Sequence, residues 1–153
     1  MDNLIYSKIL SEPVDYSSIE NLFNRFIHNL EINNNLGCLI FLEHKEVFTV
    51  GKFSKSKYLN LDKMNGIRII NSSRGGDITY HGPGQLVFYP ILSIKDLVIK
   101  PRDLVDVILD SLIKTFKIHN LESKKNVIGP GVWIQDHKAV SYTHLRAHET
   151  PRY

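Results

Sequence analysis

Residues 74–89 read Arg74-Gly75-Gly76-Asp77-Ile78-Thr79-Tyr80-His81-Gly82-Pro83-Gly84-Gln85-Leu86-Val87-Phe88-Tyr89. Strand-like runs, Ile78–Tyr80 and Leu86–Leu92, stand on either side of the Gly82–Gln85 turn. Gly75 and Gly76 admit positive φ and put no side chain in the way. Successive backbone N–H groups there can form a nest for an oxygen anion or a carbonyl. Arg74 adds a forked donor suited to a carboxylate or phosphate. His81 adds a donor, acceptor or proton carrier near neutral pH. The mixture fits a place where backbone comes close to a ligand; a glycine-rich hairpin with a solvated arginine is the bland alternative. The stretch has neither the G-x-x-x-x-G-K-S/T order of a phosphate-binding loop nor a dinucleotide fingerprint.

Outward from this stretch, the chain alternates short apolar runs with two amphipathic helices. Leu4–Leu10 reads as a first strand that ends before Pro13. Asp15 or Ser17 can cap a helix with apolar residues Ile19, Leu22, Phe23, Phe26, Ile27 and Leu30, at spacings of three and four. It should end at Asn33–Asn35 and Gly37. Cys38–Leu42 and Val47–Val50 read as buried strands, and the polar Glu43–Glu46 between them reads as a hairpin turn. Lys52–Lys63 is basic and irregular, and Ile67–Ile70 is strand-like again. Pro101 opens a second helix with a stripe of Leu104, Val105, Ile108, Leu109, Leu112, Ile113 and Phe116. Gly129-Pro130-Gly131 reads as a turn, Val132–Ile134 as a strand, and Asp136-His137 as the turn into another at Lys138. Two helices among many strands predict an α+β (α/β) domain with a mixed sheet flanked by helices.

The 153 residues suit one domain, with 42% hydrophobic and 23% charged content typical of a globular chain. No apolar run approaches the ~20 residues that span a bilayer. The opening residues do not read as a signal peptide. A net charge of +3, with lysines spread along the chain, gives no indication of nucleic-acid binding. The seven histidines form no recognised metal-ligand spacing.

Cys38 is the only cysteine, so no internal disulfide can form, which suits a reducing cytoplasm. Inside the run CLIFL it reads as inert core. Lys138 would favour a thiolate if it lay buried beside a thiol. Glu43-His44 invites a proton-transfer reading, but a structural role is preferred, with His44 a candidate pocket-lining residue. Trp133 reads as core.

The central stretch closely resembles the signature R-G-G-x-x-T-x-H-x-P-G-Q-L of the octanoyl-acyl-carrier-protein N-octanoyltransferases, also called lipoate–protein ligase B. Arg74, Gly75, Gly76, Thr79, His81, Pro83, Gly84, Gln85 and Leu86 all match. Leu42, Glu43, His44, Val47, Thr49 and Gly51 resemble the family's L-E-H-x-x-V-x-T-x-G. Gly129-Pro130-Gly131-Val132-Trp133-Ile134, with Lys138, is similar to its G-x-P-G-V-Y/W-V…K-I segment. The resemblance runs from about residue 4 to Lys138.

It implies the architecture of the biotin and lipoate protein ligase catalytic domains. It implies transfer of an octanoyl (or lipoyl) group from acyl-carrier protein to a lysine of lipoyl-carrier domains, those of the 2-oxoacid dehydrogenases and the glycine cleavage H protein. The acyl group would pass through a cysteine thioester, with no cofactor, in a cytoplasmic monomer that binds neither nucleic acid nor membrane. Arg74, Gly75, Gly76, Asp77, Ile78, Thr79, Tyr80 and His81 would line the substrate pocket. Lys138 would lower the pKa of the nucleophilic cysteine. That cysteine lies downstream of the lysine in the family, and no cysteine follows Lys138 here. Residues 1–140 are therefore expected to be the N-terminal part of one catalytic domain, incomplete at its C-terminus and not competent alone. Residues 141–153 are expected to be a non-native read-through tail. The alternatives are an ATP-dependent lipoate or biotin ligase, whose loop is of the S-G-G-G-x-V-x-H type, and a non-catalytic fragment that binds acyl chains or carrier domains.

Overall fold

The computed structural model describes residues 4–33, 35–52, 54, 62–126 and 131–142. Most of the basic segment 52–63, the Gly129-Pro130 part of the expected turn and the tail from residue 143 lie outside the described residues. The chain divides into two compact units, Met1–Leu97 and Val98–Tyr153.

The first unit opens with strand β1 (Ile5–Ile9) and a single 3-10 turn (Tyr16–Ser18) that leads into helix α1 (Ile19–Asn33). The Asp15 carboxylate caps this entry, accepting from the Ser17 N–H at 2.9 Å and its hydroxyl at 2.6 Å. Strand β2 (Gly37–Leu42) runs parallel to β1. Alternate residues Cys38, Ile40 and Leu42 are fully buried and form one cluster with Ile19 and Leu30 of α1. Full burial of Ile40 and Leu42 stabilises the unit by about 1.5–3 kcal/mol each.

Strand β3 (Val47–Val50) does not return beside β2. The expected hairpin at Glu43–Glu46 is corrected here: β2 pairs with β1 and with β7 (Val87–Leu92), whereas β3 pairs with β5 (Ile67–Asn71) and β6 (Thr79–His81). The segment crosses between sheets because Val14 grips it on both sides of His44. The Val14 N–H donates to Glu43 O at 2.9 Å, and the Lys45 N–H donates to Val14 O at 3.1 Å. With β4 (Lys63–Met64) the second sheet has the order β4-β5-β3-β6.

The same separation removes the glycine-rich hairpin, since β6 and β7 lie in different sheets. Ser93 then starts a one-turn helix α2 (Ile94–Leu97), its hydroxyl bonded to the Asp96 carboxylate.

The second unit holds helix α3 (Pro101–Ile118) and strands β8 (Lys124–Asn126), β9 (Gly131–Ile134) and β10 (His137–Val140). These strands form an antiparallel sheet in the order β10-β9-β8. Pro101 sits in the first turn of α3, where its missing N–H costs nothing. Lys125 of β8 bonds Asp106 and Asp110, one helical turn apart, at 3.0 and 2.9 Å. The mixed α+β class holds, but the strands among the described residues form three small sheets.

Candidate functional site

The Arg74–His81 loop is wound around the Arg74 side chain. Thr49 of β3 faces it and is fully buried, an unusual place for a hydroxyl unless it is bonded. Its Oγ1 donates to Thr79 O at 3.4 Å and accepts the Arg74 Nε–H at 2.9 Å. The guanidinium also donates to Thr49 O and Asp77 O, each at 2.6 Å, and to Gly75 O at 2.7 Å. Four of its five N–H groups are thus engaged with protein oxygens. Arg74 acts on the loop from inside; the expected outward fork is turned to its own carbonyls. Burial pushes the guanidinium below its usual pKa, with Asp77 among the opposing influences.

Close approach explains two of the glycines. A Cβ on Gly51, just past β3, would lie 1.9 Å from Gly76 O and 2.9 Å from Gly75 O. Gly76 itself has φ +79°. Only with both glycines can the loop lie against the end of β3, where the Lys52 N–H donates to Arg74 O at 2.9 Å.

His81 closes the loop at the end of β6. Its ring stacks on Tyr16, with centroids 5.9 Å apart and planes 10° off parallel. The Tyr16 hydroxyl lies 2.9 Å from Ser72 Oγ. His81 Nδ1 lies 2.6 Å from Gln85 Oε1, and burial holds its pKa below the ordinary histidine value. Edge-on to His81, at 5.6 Å, is His44.

His44 is fully buried. Its Nδ1 lies 3.0 Å from Val14 O, which can only accept, so Nδ1 carries the proton. Nε2 then accepts the Tyr89 O–H at 2.8 Å. Burial lowers the His44 pKa and raises that of Tyr89 strongly. His44 is a neutral strut behind the loop, which agrees with the structural role preferred from sequence. Glu43 supports the loop from the other end: its Oε2 accepts the Gly84 N–H at 2.8 Å in the Pro83-Gly84 turn.

Cys38 is core, as expected. Burial pushes its thiol up in pKa, with the Tyr6 hydroxyl beside it. In the second unit, Lys138 is an exposed residue of β10 paired in register with Trp133, which is half-buried. A Cβ on Gly131, at φ +143°, would lie 2.0 Å from Val140 O and 2.8 Å from Lys138 Cε. The glycine of the Gly-Val-Trp segment thus lets the lysine stem cross the β9–β10 hairpin.

Sequence reasoning missed Thr49, Tyr16, Tyr89 and Glu43 as partners of the loop. A threonine inside an apolar strand was an available signal for Thr49. Tyr16 and Tyr89 gave none, since 65 positions of chain separate Tyr16 from His81 and 45 separate Tyr89 from His44, and only the fold brings these rings together. Among the described residues, no group of three His, Cys, Asp or Glu side chains could hold a metal ion. No helix among them is long and apolar enough to cross a membrane.

Mixed sheets with this strand order, and a glycine loop pinned to a central strand, define a lipoate-ligase type of fold. The bi-partite lipoate protein ligase of Thermoplasma acidophilum shares it, with a TM-score of 0.60 and 17% identity over 89% of this chain and 52% of that one. Residues 3–144 match the lipoyl protein ligase A/B catalytic domain, and the chain belongs to that family. Octanoyltransferase of Shewanella halifaxensis is 36% identical over 140 residues, 92% of this chain and 62% of the relative. Octanoyltransferase of Cellvibrio japonicus is 39% identical over 103 residues, 67% of this chain and 47% of the relative. The chain thus spans less than two thirds of the length of these curated relatives.

Proposed function

We propose that the whole protein is an octanoyltransferase. It moves an octanoyl or lipoyl group from acyl-carrier protein to a lysine of lipoyl-carrier domains. The observation that carries this reading is the Arg74–His81 loop, held open by its own arginine, in a chain similar along most of its length to proteins named octanoyltransferase. The archaeal ligase of the same fold, described together with its E2 lipoyl domain, supports a carrier domain as acceptor.

In this reading, Arg74 to His81 line the acyl pocket. Glycine backbone N–H groups there are donors for the oxyanion that develops when the thioester carbonyl is attacked. A cysteine thiolate outside this chain attacks the carbonyl carbon, the carrier thiolate leaves, and the octanoyl group rests on the cysteine until the acceptor lysine takes it. Lys138 lowers the pKa of that cysteine. Residues 1–140 supply the acyl-site part of the domain, and residues 141–153 are foreign to it. The protein works as a cytoplasmic monomer on 2-oxoacid dehydrogenase and glycine cleavage carrier domains. The 153-residue chain does not turn over by itself, because its one thiol, Cys38, is sealed in the core.

The test offers the whole protein octanoyl-acyl-carrier protein or ATP with free octanoate, each with a lipoyl domain as acceptor. Transfer from the carrier without ATP is expected; acylation only with ATP would make the protein a ligase instead. Octanoyl transfer by the 153-residue chain, abolished by Lys138→Ala, would overturn its inactivity.

A further inference from the structure

The motif places Gln85 four residues after His81, and neither the pocket nor the thioester chemistry gives that glutamine a task. The structure supplies one. Gln85 Oε1 faces His81 Nδ1 at 2.6 Å, and Gln85 Nε2 donates to Tyr80 O at 3.3 Å. The second bond fixes which end of the amide is oxygen, because Tyr80 O can only accept from nitrogen. Gln85 therefore presents an acceptor, and His81 must carry its proton on Nδ1.

A neutral imidazole protonated on Nδ1 keeps its lone pair on Nε2. Among the described residues, Nε2 has no hydrogen-bond partner, and it is not one of the sealed, unpaired polar atoms. On a half-buried residue, such an unpaired atom keeps contact with solvent. Tyr16 stacks on the ring face and His44 meets its edge, so the ring cannot swing away. The charged and titratable groups that face it are Arg74 from the loop before β6, His44 from the crossing after β2 and Tyr16 from the 3-10 turn. Val47, its register partner on β3, is apolar. Arg74 and His44 both oppose a positive charge on the ring, which favours the neutral form.

We propose that Gln85 is a positioning residue that locks the His81 tautomer, so that Nε2 accepts the proton given up by the attacking lysine amine. This rests on the transferase reading above. The step balances: the amine nitrogen bonds to the acyl carbon and the carbon–sulfur bond breaks. One amine proton passes to His81 Nε2 and from there to the departing thiolate, which leaves as a thiol.

The experiment has two arms. In the first, long-range proton–nitrogen correlation spectra of the imidazoles are recorded for the 153-residue chain and for Gln85→Leu and Gln85→Glu. The expected wild-type His81 is protonated at Nδ1 above its pKa. Gln85→Leu moves the proton to Nε2, the form a free imidazole prefers. Gln85→Glu keeps it on Nδ1 and raises the His81 pKa. His44 stays Nδ1-protonated throughout, which reports that each variant is folded. Wild-type His81 protonated at Nε2, or no change in Gln85→Leu, would overturn the lock.

In the second arm, octanoyl transfer by the whole protein is followed against pH. Gln85→Leu should lower kcat about 10²-fold, the lower end of general-base contributions, with KM little changed. Gln85→Glu should restore kcat and move the acid limb to higher pH. A switched tautomer with wild-type kcat in Gln85→Leu would refute the positioning role. No transfer by any form, wild type included, would sink the transferase reading and the proton-acceptor role with it, while the tautomer lock stands on the first arm.

Discussion

Gly51→Ala tests whether the loop is rigid against β3. The added methyl would lie 1.9 Å from Gly76 O, 2.8 Å from Gly76 C and 2.9 Å from Gly75 O, all backbone atoms with no flexible side chain to yield. Restoring an ordinary contact of about 3.4 Å moves the Gly75–Gly76 backbone by more than an ångström. That shift pulls Gly75 O and Asp77 O away from an arginine held at 2.7 and 2.6 Å. Overpacking costs about 1–3 kcal/mol. Each charged hydrogen bond lost adds about 1.5–3 kcal/mol if its carbonyl stays buried, and much less if water replaces the donor. The stiffer unfolded chain offsets about 0.4–1 kcal/mol. The expected net loss is about 2 kcal/mol, a drop in Tm of roughly 4–8 °C for a chain of this size. Thermal unfolding by circular dichroism measures it. A cycle with Arg74→Ala adds the mechanism: if both changes release the same loop, their effects fall short of additive by about 1 kcal/mol. A Gly51→Ala protein melting within 1 °C of wild type, or fully additive effects, would refute the pinned loop.

Acid should destabilise the first unit. His44 and His81 both titrate below 6.5 when folded, so the unfolded chain binds more protons as pH falls past that value. Their contribution is present above about pH 6.5 and is lost below it, at up to ~1.4 kcal/mol per pH unit for each group. Urea midpoints at pH 5, 6 and 8 should show the fall, and a flat series would contradict the buried neutral state. His44→Phe should cost about 1–3 kcal/mol, because it strands the buried Tyr89 hydroxyl and leaves Val14 O with the Lys45 N–H alone, and it should flatten the pH slope; a loss below 1 kcal/mol in the same urea series would deny the strut. Cys38 should resist iodoacetamide in the native chain and react promptly in urea, as mass spectrometry would record; fast native labelling would undo its assignment to the core. Val98 is 91% exposed at φ +51°, a left-handed position that a β-branched residue occupies at a cost of about 1–2 kcal/mol. Val98→Gly should raise the unfolding free energy measured in urea by a few tenths of a kcal/mol to about 1 kcal/mol, and a lower value would count against the strain.

Much of the fold was legible because period and punctuation are local. The three- and four-residue spacing of Ile19 to Leu30 marked α1, Pro101 marked the start of α3, and CLIFL marked the buried β2. The missed α2 also had a local sign in Ser93-Ile94-Lys95-Asp96, an abbreviated cap. Strand partnership was not local. Glu43–Glu46 has the polarity of a hairpin turn, and nothing in it tells that Val14, thirty residues earlier, holds His44 and sends the chain into another sheet.

The site divides along the same line. By itself the sequence determined which residues make the loop, from Arg74 to Gln85, and the family they signify. Those are matters of residue type and spacing, written in the order of the chain. Only the tertiary structure decided what they do to one another. A guanidinium has five donors and no preference written in its neighbours. It turned inward because β3 brought the carbonyl of Thr49 within 2.6 Å and its hydroxyl within 2.9 Å. His81 has two nitrogens of similar basicity, and sequence cannot choose between them. A glutamine oxygen at 2.6 Å does, because a hydrogen bond depends on tenths of an ångström and on direction, which only the folded chain sets.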